Sequence, residues 1–345
     1  MGHGAGGEMM QELLGKHIIP FLPKVPSEVP LSSFDDSAVV DGIVFTTDAH
    51  TVKPLFFPGG DIGSLSVYGT VNDISVMGAR PLAIACAMIL EEGLELEVLE
   101  RIARSVGDAS QIAGVPVVTG DTKVMESGKI ERMVIATSAI GRRSEFLDRD
   151  LEIAMQYRKV DSKWMTDDNL RDGDAVIVTG TMGDHGIALL SFREGYGFES
   201  QVQSDCAPLN KLVADMIKAS TRIHAMRDPT RGGLATILNE FALQSKVSIR
   251  IEESAVKVKG EVRGACEMLG LDPLYIANEG KLVAIVAPEA AEAIVAAMRK
   301  NIYGRDAVII GAVTEGNPGR VVMKTNFGTS RIIDMLVGEA LPRIC

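Results

Sequence analysis

The stretch Ser37-Ala38-Val39-Val40-Asp41-Gly42-Ile43-Val44-Phe45-Thr46-Thr47-Asp48 sets two short apolar, β-branched runs on either side of Asp41-Gly42. Asp-Gly between two such runs is a hairpin signal, because the tight turn needs positive φ at successive positions. One run is preceded by Asp35-Asp36 and the other ends on Asp48, so carboxylates flank the hairpin. Outward from it, residues 62–78 have helical spacing, with Leu65, Val67 and Ile74 apolar and Gly78 as a stop. Pro81 to Ile89 is an apolar run of strand length. Residues 94–113 place Leu96, Leu99, Ile102, Ala103 and Val106 on one helical stripe, and strands are expected at 115–118 and 133–140. Strands and helices in alternation indicate an α/β chain.

The rhythm breaks over residues 142–172, a charged stretch holding Trp164, the single tryptophan, which reads as an inter-domain connection with an added surface element. It then resumes with strands at 174–179, 247–251, 282–286 and 307–313, and helices at 183–192, 209–220, 232–244 and 289–300. Ile332, Ile333, Leu336 and Val337 suggest a short amphipathic helix. The expected organisation is an N-terminal domain over 1–155, a C-terminal α/β domain over 156–338 and a mobile tail over 339–345.

A chain of 345 residues is long enough for two domains with substantial cores. With 35 Lys and Arg against 46 Asp and Glu the net charge is −11, which leaves no electrostatic footprint for nucleic acid or an anionic membrane. The longest apolar run, Pro81 to Leu90, is far short of a membrane span, and the Gly-rich start carries no secretory pattern. Cys86, Cys206, Cys266 and Cys345 form no Cys-x-x-Cys pair, so neither a disulfide framework nor a thiolate zinc site is expected. A cytoplasmic protein is the expectation.

The chemistry gathers at aspartates. Asp36, Asp48, Asp73 and Asp121 sit at element ends or beside Gly, Thr and Asn, as in Gly69-Thr70-Val71-Asn72-Asp73 and Thr119-Gly120-Asp121. Hard oxygen ligands with room for water are what Mg²⁺ bridging phosphates requires. A turn or cap role accounts for any one of them, but less readily for all four. Pro58-Gly59-Gly60-Asp61-Ile62-Gly63 and Asp228-Pro229-Thr230-Arg231-Gly232-Gly233 each precede a helix, where free N–H groups favour an anion. Neither matches a nucleotide fingerprint, and a plain turn is the simpler explanation. The chain closes on Leu341-Pro342-Arg343-Ile344-Cys345, an extended tail ending in a thiol that about 15 Å of reach would carry into a neighbouring cleft.

Seven segments, His3 to Gly7, Thr46 to Val52, Phe56 to Gly63, Gly69 to Asp73, Thr119 to Val124, Arg227 to Gly233 and Asn278 to Leu282, together with the Pro342-Arg343-Ile344-Cys345 end, resemble the hydrogenase maturation factor family HypE. That family belongs to the superfamily of aminoimidazole ribonucleotide synthetase, selenophosphate synthetase and thiamine-monophosphate kinase. The resemblance implies a two-domain synthetase-type fold, homodimeric through its N-terminal domains, with the C-terminal domain closing over ATP. It implies that the carbamoyltransferase HypF places a carboxamide on Cys345. MgATP then drives its dehydration to a thiocyanate, and the cyano group passes to iron on a HypC–HypD complex as a ligand of the [NiFe] hydrogenase centre. Carried onto this sequence, Asp36, Asp48, Asp73 and Asp121 would hold Mg²⁺. Gly59, Gly60, Asn72, Gly120, Thr122, Asp228 and Thr230 would contact the nucleotide, Lys123 would stabilise the transferred phosphoryl group, and Glu279 would be the general base. The connection from Leu147 to Asn169 is longer than the resemblance implies. Two alternatives are a phosphotransferase of the same superfamily, which has no use for a terminal thiol, and a non-catalytic thiol carrier, which has no use for the carboxylates.

Overall fold

The computed structural model describes residues 4, 6–157, 163–192 and 202–337, so His3 and the tail with Cys345 lie outside the described residues. The hairpin forms as expected: β1 (Ala38–Val40) and β2 (Ile43–His50) pair antiparallel, and both turn residues have positive φ, Asp41 at 51° and Gly42 at 72°. They open a five-stranded sheet in the order β1-β2-β7-β5-β6, completed by β5 (Ala79–Glu91), β6 (Val117–Met125) and β7 (Met133–Arg143), while β3 (Phe56–Phe57) and β4 (Gly60–Asp61) pair as a separate ribbon. Only the β5–β6 pair is parallel. One face is covered by α2 (Ile62–Val76), buried almost throughout, and by α3 (Leu96–Ala113). The opposite face keeps Phe45 and Ile140, a cross-strand pair, 47% and 41% exposed.

The second half is a seven-stranded sheet in the order β14-β13-β10-β12-β8-β11-β9. Its strands are β8 (Ala175–Val178), β9 (Ile223–Arg227), β10 (Ser248–Glu252), β11 (Val283–Val286), β12 (Val308–Thr314), β13 (Arg320–Lys324) and β14 (Ser330–Ile333). Central β8 and β11 are apolar at every position because both faces are covered. Val176, Val178, Val283 and Ile285 pack with α7 (Gly233–Ser245), while Ala175, Ile177, Ala284 and Val286 pack with α6 (Asn210–Ala219) and α9 (Pro288–Met298). At about 1.5–3 kcal/mol per fully buried large side chain, this two-sided core is the main source of stability of that half. Helices α5 (Asp184–Phe192) and α8 (Gly260–Leu269) join a further cluster with Phe57, Ile62, Ile102 and Ile135, so apolar packing is continuous between the halves.

Three local expectations are corrected. Residues 330–333 form an edge strand paired with β13, not a helix, so Ile333 is buried while Ile332 is half exposed. Strand β6 runs on to Met125, which puts Asp121 inside the strand. The charged connection holds a helix, α4 (Glu145–Met155), and Trp164 is buried with its Nε1 donating to Glu28 Oε2 at 3.0 Å.

Candidate active site

Asp36 precedes β1, Asp73 lies in the last turn of α2, and Asp228 follows β9. Each offers a carboxylate oxygen, and the three oxygens lie within 4.8 Å of one another. The hairpin supports them: Thr46 Oγ1 lies 2.9 Å from Asp73 Oδ2 and 3.0 Å from the Asp36 carbonyl, and Ser37 Oγ donates to the Asp73 carbonyl at 3.0 Å. Asp36 Oδ2 is buried and has no hydrogen-bond partner. Burial, then the neighbouring carboxylates, pushes Asp73 well above the usual range, and burial does the same to Asp36 against the pull of Arg227. Burial carries Asp228 to about 6. Three hard oxygen donors, beside an orphaned buried oxygen on one of the same carboxylates, fit a divalent cation of the magnesium class.

Asp48, on β2, accepts from Thr70 Oγ1 at 3.4 Å and raises both Asp73 and Asp228. Cross-strand partners share a face, so Asp48, Thr137, Cys86 and Gly120 form one row facing α2, while Ala49, Ala136, Ala87 and Asp121 form the next row facing away. In one chain Asp121 therefore sits on the opposite face from Asp48, three strand spacings away, or about 14 Å. The expected set of four carboxylates does not assemble in a single chain, and Asp228, expected only to contact nucleotide, stands where Asp121 was placed. Lys123 shares the open face of Asp121, and Gly120, Thr122 and Lys123 are all exposed on this edge strand.

Glu279 lies in the loop before β11, 7% exposed. Burial, then the carboxylates of Asp228, Asp205 and Asp48, pushes it well above the ordinary range, and Arg231 opposes this. The loop is fixed on both sides. Asn278 Oδ1 accepts the Gly183 N–H at 2.7 Å, its Nδ2 donates to the carbonyls of Ile276 and Pro229, and its own N–H bonds the Pro229 carbonyl at 3.0 Å. The Glu279 N–H donates to Asp205 Oδ1 at 3.2 Å. Thr230 closes the facing turn, its N–H donating to the Asp228 carbonyl at 2.9 Å.

Asp205 belongs to a strap, residues 202–209, threaded between the halves. This strap accounts for two residues expected to touch nucleotide, and local packing accounts for a third. Asn72 is fully buried; its Nδ2 donates to the Ala207 carbonyl at 3.1 Å and its Oδ1 accepts the Leu209 N–H at 2.8 Å. Gly59 (φ 89°) faces the strap so closely that a Cβ would lie 2.6 Å from the Ser204 carbonyl oxygen, and Gly60 packs under the Phe57 ring. The free N–H at the start of α2 is taken by Asp61, which caps the helix through Ser64. Asn72, Gly59 and Gly60 are thus engaged with this chain itself. Sequence reasoning missed Asp205, whose importance depends on contacts with distant segments. It also left Arg227 without a role, although that residue adjoins Asp228.

The N-terminal family model of AIR synthase related proteins matches residues 34–143, and the C-terminal one matches residues 171–324. The carbamoyl dehydratase HypE of Rhizobium leguminosarum bv. viciae is 48% identical over all of this chain and 94% of that protein. This chain belongs to the HypE family. Among solved structures, a HypE–HypF complex matches with a TM-score of 0.83 at 41% identity, covering 95% of this chain and 99% of that one. A HypE in complex with ATP matches with a TM-score of 0.80 at 43% identity, covering 99% and 98%. The two-domain synthetase-type fold is that of HypE proteins, and among the described residues no helix is long and apolar enough to cross a membrane.

Proposed function

We propose that this chain is an ATP-dependent carbamoyl dehydratase that converts an S-carboxamide on its own Cys345 to a thiocyanate. The observation that carries this reading is where the C-terminal strand leaves the fold. After β14, Tyr275 donates to the Asp334 carbonyl at 2.9 Å, and the Leu336 carbonyl accepts the Glu8 N–H at 3.3 Å at the start of α1 (Gly7–His17). Gly6, beside it, packs on Arg231, the residue whose charge acts on Glu279. Eight residues follow Val337, the last being Cys345, and at about 3.3 Å each such a length of chain can span about 26 Å. The tail therefore starts from a segment packed on the Gly6–Arg231 side of the Glu279 loop, with length to reach further.

In this reading Asp36, Asp73 and Asp228, supported by Asp48, would hold Mg²⁺, which when bound would supply charge neutralisation for the triphosphate. The carboxamide oxygen, a poor leaving group, attacks the γ-phosphorus, ADP leaves, and one N–H proton passes to water, giving an O-phosphorylated imidate. Glu279, whose proton affinity burial raises well above that of an ordinary carboxylate, takes the second N–H proton. The C–O bond breaks, phosphate leaves, and S–C≡N remains. The carboxamide comes from HypF, and the cyano group goes to iron on HypC–HypD for the [NiFe] centre, in the cytoplasm. We further propose a homodimer through the open face of the N-terminal sheet, with domain limits near residues 155 and 338. Pairing would bring Gly120, Asp121, Thr122 and Lys123 to the nucleotide from β6, which they do not reach within one chain.

Asp73→Asn tests the enzyme against the carrier. Loss of ATP-dependent dehydration with Cys345 carbamoylation intact is the expected result. Full dehydration by the variant would remove the carboxylates from the mechanism.

A further inference from the structure

Arg227 ends β9 immediately before Asp228 and is 13% exposed. Its Nη1 donates to Asp167 Oδ2 at 2.6 Å and to the Phe34 carbonyl at 3.2 Å, while Nε forms an ion pair with Asp36 Oδ1 at 2.9 Å without a hydrogen bond and Nη2 forms a longer one with Glu240 Oε2 at 3.5 Å. These partners come from distant parts of the chain. Asp167 is held in turn, its N–H donating to Asp35 Oδ1 at 3.0 Å and its carbonyl accepting from Ser245 Oγ at 2.5 Å. Glu240, on α7, accepts from Gln11 Nε2 at 3.0 Å. A guanidinium is a rigid plane, so the two hydrogen bonds at Nη1 also set where its Nε edge lies.

The Nε edge meets Asp36. Arg227 pairs with one oxygen of that carboxylate, the other, Oδ2, is buried without a hydrogen-bond partner, and Asp36 is one of the three carboxylates gathered with Asp73 and Asp228. We infer that Arg227 is a positioning residue: it occupies Asp36 Oδ1 and thereby turns Oδ2 toward the place a divalent cation would take between Asp73 and Asp228. Through Asp167 it ties that orientation to the long charged connection, which gives this otherwise unexplained segment a part in the site. A lysine would supply the charge but not the fork. Only one of Asp36 and Asp167 would then be held in line.

This inference rests on the cation reading of the three carboxylates, and one experiment separates the two. Mn²⁺ binding is titrated by electron paramagnetic resonance of the free ion, with a non-hydrolysable ATP analogue present, for the unaltered protein, Asp73→Asn, Arg227→Gln and Arg227→Lys. Analogue affinity is measured separately in EDTA. Asp73→Asn should weaken Mn²⁺ binding, and unchanged binding there would defeat the cation reading itself. Given that weakening, both Arg227 variants should bind Mn²⁺ about 10–100-fold more weakly, with metal-free analogue affinity within about twofold. Mn²⁺ affinity within twofold of the unaltered protein, or an equal fall in metal-free affinity, would overturn the positioning role. Should neither Arg227 variant fold by circular dichroism, Glu240→Gln releases one edge of the fork. A several-fold weakening is then expected, and no change would overturn the inference.

Discussion

The side-chain carbonyl of Asn72 accepts the backbone N–H of Leu209 at 2.8 Å, binding helix α2 of the first half to the strap that runs into the second. The amide nitrogen of the same side chain holds the Ala207 carbonyl, so one fully buried residue satisfies two backbone groups. Asn72→Ala would strand both in the interior, at a cost on the order of 2–4 kcal/mol. A lower denaturant midpoint with little change in nucleotide affinity is expected. A variant with normal stability and weakened ATP binding would return Asn72 to the nucleotide site.

Gly280 approaches the strap from the other side. A Cβ there would overlap the Asp205 carbonyl, and Asp205 also holds the Glu279 N–H. Gly280→Ala must therefore move either the strap or the Glu279 loop. Dehydration should slow at least about tenfold, the effect of losing about 1.4 kcal/mol of transition-state stabilisation. Amide exchange over residues 202–209 should rise alongside. Unchanged rate and exchange would mean that the strap does not position Glu279.

Burial, reinforced by the Asp167 carboxylate, carries Asp35 up to about 7. A carboxyl with a raised folded pKa keeps its proton where the unfolded chain has lost it. Its contribution is complete below about pH 4 and is lost as pH rises through about 7. Asp35→Asn keeps an acceptor for the Asp167 N–H and removes the titration. In metal-free protein its melting temperature should exceed that of the unaltered chain by on the order of 2–4 °C at pH 8.5. The two curves should converge toward pH 4, and equal melting at both pH values would contradict the assignment.

The pairing of two copies is expected to cover Phe45 and Ile140 on the open sheet face. Phe45→Glu should shift a dimer to monomer in sedimentation velocity without lowering the helix content. A dimer that survives the change would place the contact elsewhere.

What the sequence made legible follows from how local each signal is. Asp41-Gly42 needs only two positive φ angles, so the hairpin could be read directly. Strands β8 and β11 are buried on both faces and show as unbroken apolar runs. Edge strand β6 has almost no burial and so no alternation to read, and α4 buries only Leu147. Ser330–Ile333 has too few residues for its period to separate strand from helix. At the site, Asp36, Asp48 and Asp73 stood out by their flanks. That Asp121 faces away depends on the register of three strand pairs, and the engagement of Asn72 depends on a strap far along the chain.

The dehydratase reading is tested most directly by the mass of the C-terminal peptide. Cys345 is carbamoylated with cyanate, the carboxamide is confirmed, and MgATP is added to the intact protein. Loss of one water from that peptide, absent in Cys345→Ala and in Glu279→Gln, is the expected result. An unchanged mass, with ATP bound and the carboxamide in place, would contradict it and favour a phosphotransferase of the same fold acting on another substrate.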